Sequence, residues 1–176
     1  MLEQALEYFK SDKTEYARIL PDAHKALKQL KRLIARKYKL LAMKHKNRNP
    51  GKYLEALRLI VQHAPRTPEA QKYSETVHAA LNHITSTLNS ANRALNTESE
   101  YKALELLEPV LEKYKGMKPA KALIFRASSL SQRTGRKEKA MKFSKDIIDN
   151  YWNGQQDDSG IIPYCAAYIA RKRKIT

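Results

Sequence analysis

The residues best suited to chemistry in this chain are scattered, and their spacing argues against catalysis. His78 and His83 stand five positions apart, which on a helix turns them about 140° away from each other. They therefore do not aim at one metal ion and read as packing or surface side chains. Asp157 and Asp158 fall in the polar run Asn153–Gly160, where the desolvating walls of a catalytic carboxylate pair are not expected. Gly-x-Ser-x-Gly, the phosphate loop, the dinucleotide fingerprint and His-Glu-x-x-His are all absent. The expectation is a protein that is not an enzyme and takes no metal or cofactor.

Positive charge is the residue-level signal that remains. The formal net charge of the 176 residues is +16, and it is unevenly placed: +11 over residues 23–54 and +9 over 115–145. No Asp or Glu occurs between Asp22 and Glu55. In the first zone Lys25, Lys28, Arg32, Arg36 and Lys39 advance in steps of three and four, which on a helix draws a stripe roughly 20 Å long. The second zone includes Lys121, Arg126, Arg133, Arg136, Lys137, Lys139, Lys142 and Lys145. Such fields attract polyanions, anionic membranes or acidic proteins; the plainer reading is a solvated, solubility-giving surface. Backbone contacts to nucleic acid would tolerate any sequence and weaken with salt. Aromatic residues are not interleaved with the cations and no recognition module is visible, so base stacking is not indicated.

The elements that must carry these residues read as helices throughout, because no segment alternates as a half-buried strand requires. Residues 2–19 form a first helix that stops before Pro21, and a second runs from Asp22 to about Lys46. Its expected buried seam is Ala23, Ala26, Leu27, Leu30, Leu33, Ile34, Tyr38 and Leu41, with the cations on the other side. Asn47–Gly51 reads as a turn in which Gly51 supplies a left-handed residue, followed by a third helix over about 52–63. Thr67, Pro68 and Glu69 open a fourth, to Leu95. In it Ala70, Val77, Ile84 and Ala91 recur every seven residues, and Leu81, Leu88 and Leu95 form the next row. Residues 78–92 contain no Lys, Arg, Asp or Glu, so Asn82, Thr85, Asn89 and Asn92 make a polar, neutral face suited to packing or to a ligand groove. Thr97 and Glu100 have capping-box spacing for a fifth helix ending at Gly116. Pro119 begins a sixth, Gly135 turns the chain into a seventh that ends near Tyr151, and an apolar then basic piece, 161–176, reads as a terminal docking helix.

Three segments share a local form: Gly51, Tyr53, Ala56; then Ser99, Tyr101, Ala103; then Gly135, Lys137, Ala140. The second and third continue to Tyr114 and Tyr151 with matching apolar spacing. Ala103 and Ala140 are 37 residues apart, and Ala56 and Ala103 are 47 apart. Periods of this order signal a helical solenoid. Over residues 22–152 the chain resembles the tetratricopeptide-repeat family, Gly51-x-Tyr53-x-x-Ala56 matching the start of a second repeat helix, while Ala91 and Ser128 stand in for the small residues of first helices. The resemblance implies an all-α fold, antiparallel helix pairs stacked as a short right-handed solenoid of about seven to eight helices, that holds a protein or peptide in its groove. Carried over, it places Asn89 and Arg126 on groove-facing positions of a carboxylate clamp, whereas Leu41, His45 and Ala122 occupy the remaining clamp positions.

The expected organisation is a repeat domain over 1–152, a linker over 153–160 and a docking helix with a basic tail over 161–176. The leading function is a scaffold for a protein partner, acidic in character, reached through the groove or through Lys25, Lys28, Arg32, Arg36, Lys39, Arg126, Arg136, Lys139 and Lys142. The alternative is nucleic-acid binding by the same cations; attachment of Ile161–Lys174 to an anionic membrane is a weaker third. Cys165 is the only cysteine, which points to a reducing compartment. With no leader read in the first residues, the expected location is the cytoplasm, or the nucleus of a eukaryote. Nothing in the sequence sets an oligomeric state.

Overall fold

A computed structural model describes the chain over residues 19–97, 99–152 and 160–173. The helix expected over 2–19, apart from Ile19, and most of the 153–160 linker lie outside the described residues. Within them the regular structure is helical: α1 (Ile19–His45), α2 (Pro50–His63), α3 (Pro68–Thr97), α4 (Glu100–Tyr114), a 3-10 turn (Lys118–Ala120), α5 (Lys121–Arg133), α6 (Lys137–Tyr151) and α7 (Ile161–Arg173). No described helix is long and apolar enough to cross a membrane.

Local chemistry sets most of the breaks. Asn49 caps α2, its Oδ1 accepting from the Lys52 amide at 2.9 Å, and Pro50 sits in the first turn, where no donor is missed. Thr67 closes the next junction: its Oγ1 accepts from the Ala70 amide at 3.2 Å and donates to the Ala64 carbonyl at 2.7 Å. Gly116 and Gly135 end α4 and α5 regions with φ of 95° and 74°, which a side chain would resist.

Three boundary readings need correction. α1 already includes Ile19–Pro21, because proline is tolerated in a first turn. The cap of α4 is Ser99, whose Oγ accepts from the Lys102 amide at 3.2 Å, while Thr97 remains the last residue of α3 with its hydroxyl on the Arg93 carbonyl. Gly51 lies inside α2 rather than in a left-handed turn. It is needed for close approach: a Cβ there would stand 1.9 Å from the Lys115 carbonyl oxygen.

Packing follows chain order, each helix lying against the one before it, most extensively α1 on α2, α3 on α4 and α5 on α6, with α2 also reaching α4 and α7 closing on α6. Two apolar clusters result. The smaller joins α1, α2 and the first half of α3 around Leu57, Ile60 and Val77. The larger joins the second half of α3 to α4, α5, α6 and α7 around Leu104, Leu107, Leu123, Ile124 and Ile147. The seven-residue row of α3 is buried as expected, at Ala70, Val77, Ile84 and Ala91. Ala56, Ala91, Ala103, Ser128 and Ala140 are all 0% exposed, so the alanine of each repeated segment is fully enclosed between helices, as are Ala91 and Ser128.

The turn after α4 is held from two sides. The Tyr151 hydroxyl accepts from the Gly116 amide at 2.9 Å and donates to the Met117 carbonyl at 3.2 Å. The Lys118 amide donates to Glu55 Oε2 at 2.9 Å, and Glu55 is itself gripped by Arg58, whose Nε and Nη2 donate to its two carboxylate oxygens. A surface turn is thereby fastened to α2 and α6 at once.

Candidate functional site

On α1 the seam is rotated from the one expected. Ala35 and Ala42 are fully buried, with Leu27, Ile34 and Tyr38 partly so, whereas Leu30, Leu33, Leu41 and Ala26 are exposed. The cause is an excess of apolar residues: Leu40, Leu41, Ala42 and Met43 are consecutive, and with about 100° between neighbours they cannot share one buried stripe. Small Ala35 and Ala42 let α2 approach closely, and the leucines are turned outward. Leu33, Leu40 and Met43 are 64%, 61% and 66% exposed. Of the eight large apolar side chains that are exposed among the described residues, five belong to α1, so this surface is singular in the molecule rather than a general property of its exterior.

The cation stripe borders that apolar row. Lys25, Lys28, Arg32 and Arg36 are exposed, and among the described residues none meets an acidic side chain. Lys39 reaches Glu69 at only 4.0 Å. Beyond the stripe, burial first and then Lys52, Lys44 and Arg48 hold the His45 imidazole below its usual range, as a locally positive field requires. The positive charge around His45 is therefore carried by those lysines and Arg48.

The second basic zone is arranged differently, because α4 supplies it with acids. Lys139 Nζ donates to Glu108 Oε1 at 2.6 Å, with Arg136 3.7 Å from the same oxygen, and Lys142 Nζ donates to Glu112 Oε1 at 3.0 Å. Arg136 also lies over the Tyr101 ring at 5.0 Å, and Arg133 pairs with Glu100. Glu112 is held below the usual carboxylate range by its bonds to Lys115 and Lys142. Asp146, though 3.4 Å from Lys115, is pushed up by burial, so Glu112 is the better partner of that lysine. Arg126 is engaged too, its Nη2 donating to Asn92 Oδ1 at 2.7 Å. Arg126, Arg136, Lys139 and Lys142 are thus partnered within the chain, and with the long Lys39–Glu69 pair they make five of the nine candidate cations.

The neutral face of α3 is open to solvent at Asn82, Thr85 and Asn89, with Asn92 partly buried beneath Arg126. His83 belongs to packing: its Nδ1 hydrogen-bonds the Tyr114 hydroxyl at 2.9 Å, the two rings edge to face. The exposed leucines are what sequence reading missed, and the four-residue apolar run 40–43 is the signal that could have found them. No family model, curated protein or solved structure matches the chain.

Proposed function

We propose that this chain is a non-enzymatic helical-repeat scaffold that binds a protein partner through the outer face of α1. The observation that carries the reading is the contrast between its two basic zones. In one, Arg133, Arg136, Lys139 and Lys142 are matched by the chain's own glutamates; in the other, Lys25, Lys28, Arg32 and Arg36 meet no acidic side chain among the described residues and lie beside the exposed leucines of α1. Proteins bury apolar side chains of this size where something covers them. The repeat arrangement, antiparallel pairs stacked one on the next, is supported by the complete burial of Ala56, Ala103 and Ala140 and of their counterparts Ala91 and Ser128. A photo-crosslinking residue at exposed Gln29, in cells expressing the chain, should give discrete protein adducts. Adducts that vanish with nuclease, and no protein ones, would overturn the reading.

A second reading, a sequence-tolerant contact with nucleic-acid backbone, is favoured by the spacing of Lys28, Arg32 and Arg36. Five cations on a single strand predict a log–log salt slope of about −3.5. Retention on poly(U) that is unchanged when these three are replaced by Glu excludes it.

A further inference from the structure

We infer that the partner element α1 receives is an amphipathic helix with an acidic edge; this rests on the protein-binding reading above and deepens it. Three observations converge. The apolar row Leu30, Leu33, Leu40 and Leu41 is interrupted on its own arc by Lys37, exposed like its neighbours. A covering surface must then offer apolar groups and carboxylates in alternation at fixed spacing, which a facing helix does at its i, i+3, i+4 and i+7 positions. The row from Leu30 to Leu41 spans about 17 Å, or three turns, the reach of a short helix. The molecule already solves the same problem internally: Glu108 and Glu112, four residues apart on α4, meet Arg136, which precedes α6, and Lys139 and Lys142 within it. Lys28, Arg32 and Arg36 repeat that four-residue step on α1 with no acid opposite them among the described residues. A phosphate backbone would leave the leucines in water, and a bilayer would take Lys37 down with them.

The test uses the full chain and three labelled synthetic peptides of about 18 residues, roughly 27 Å when helical. One carries a leucine row beside glutamates four residues apart, one has the same composition scrambled, and one has lysine in place of glutamate. Anisotropy titrations at about 0.15 M salt, where the screening length is about 8 Å, should show the first peptide binding at least about tenfold more tightly than either other. Leu33→Asp with Leu40→Asp should abolish the preference, and the milder Leu33→Gln with Leu40→Gln should weaken it, helical circular dichroism being unchanged in both. Lys28, Arg32 and Arg36 all changed to Glu should transfer the preference to the lysine peptide. Equal binding of the ordered and scrambled acidic peptides overturns the inference. So does binding to poly(U) or to phosphatidylserine vesicles that displaces the peptide and ignores the leucine changes, or sedimentation as a dimer that these changes dissolve. Protein adducts from Gln29 alongside equal peptide binding would leave the scaffold standing and remove only the helical partner.

Discussion

At the scale of single residues, two positions have effects large enough to measure. The Tyr151 hydroxyl is pushed up to about 12, chiefly by burial. Raised above the ordinary value near 10, it binds its proton more tightly in the folded state, so its contribution is complete below about pH 10 and declines as pH rises from there towards 12. Tyr151→Phe should cost about 1–2 kcal/mol at neutral pH by orphaning the Gly116 amide, and denaturant melts should show the variant losing less than the parent between pH 10 and 12. Gly51→Ala sets two effects against each other. Helix propensity favours alanine by about 1 kcal/mol, but a methyl 1.9 Å from the Lys115 carbonyl oxygen must displace backbone. The steric effect prevails, and a net loss of about 1–3 kcal/mol is expected in urea titrations. The sequence showed that Gly51 was special and misassigned why, since a clash with a residue 64 positions away is invisible without the fold.

At the scale of elements, the α4–α6 seam and α1 make a matched comparison. Glu112 sits below the usual carboxylate range, so its contribution is present above that range and disappears as pH falls through it. Glu112 and Lys142 are largely exposed, which limits the effect to about 0.2–1 kcal/mol. Glu112→Gln should therefore lower Tm slightly at pH 7, with the difference shrinking as pH falls below the usual carboxylate range, and also in 1 M salt. Helix breaks were legible in advance because Asn49, Pro50, Thr67, Gly116 and Gly135 act through their immediate neighbours. The cations of α6 were legible as residues yet not as a neutralised surface, because their partners lie about thirty positions upstream. The rotation of α1 escaped notice for a related reason. Periodicity finds an apolar arc, and only the neighbouring α2 decides which part of a broad arc is covered.

At the scale of the whole molecule, α2 and α3 each contribute to both apolar clusters: Leu54 and Leu57 on α2 fall in different ones, as do Val77 and Ile84 on α3. The two halves should not melt separately. Leu57→Ala, in the smaller cluster, is expected to cost about 2–5 kcal/mol and to move a single calorimetric transition downward without splitting it; two resolved peaks would mean that the clusters are independent. The all-helical character was readable from composition and period alone. The path by which seven described helices lean on one another was not, since it depends on which small residues meet.

The fastening of the turn after α4 bears on how this chain can be lengthened. Surface turns usually accept extra residues, and the bend at Gly135, with nothing within 4 Å of where a side chain would begin, should host an inserted tag freely. A tag spliced between Met117 and Lys118 would instead pull the Glu55 and Tyr151 anchors apart, unhooking helices from opposite ends of the sequence. The two bends look alike in outline, and only one of them is a hinge pin.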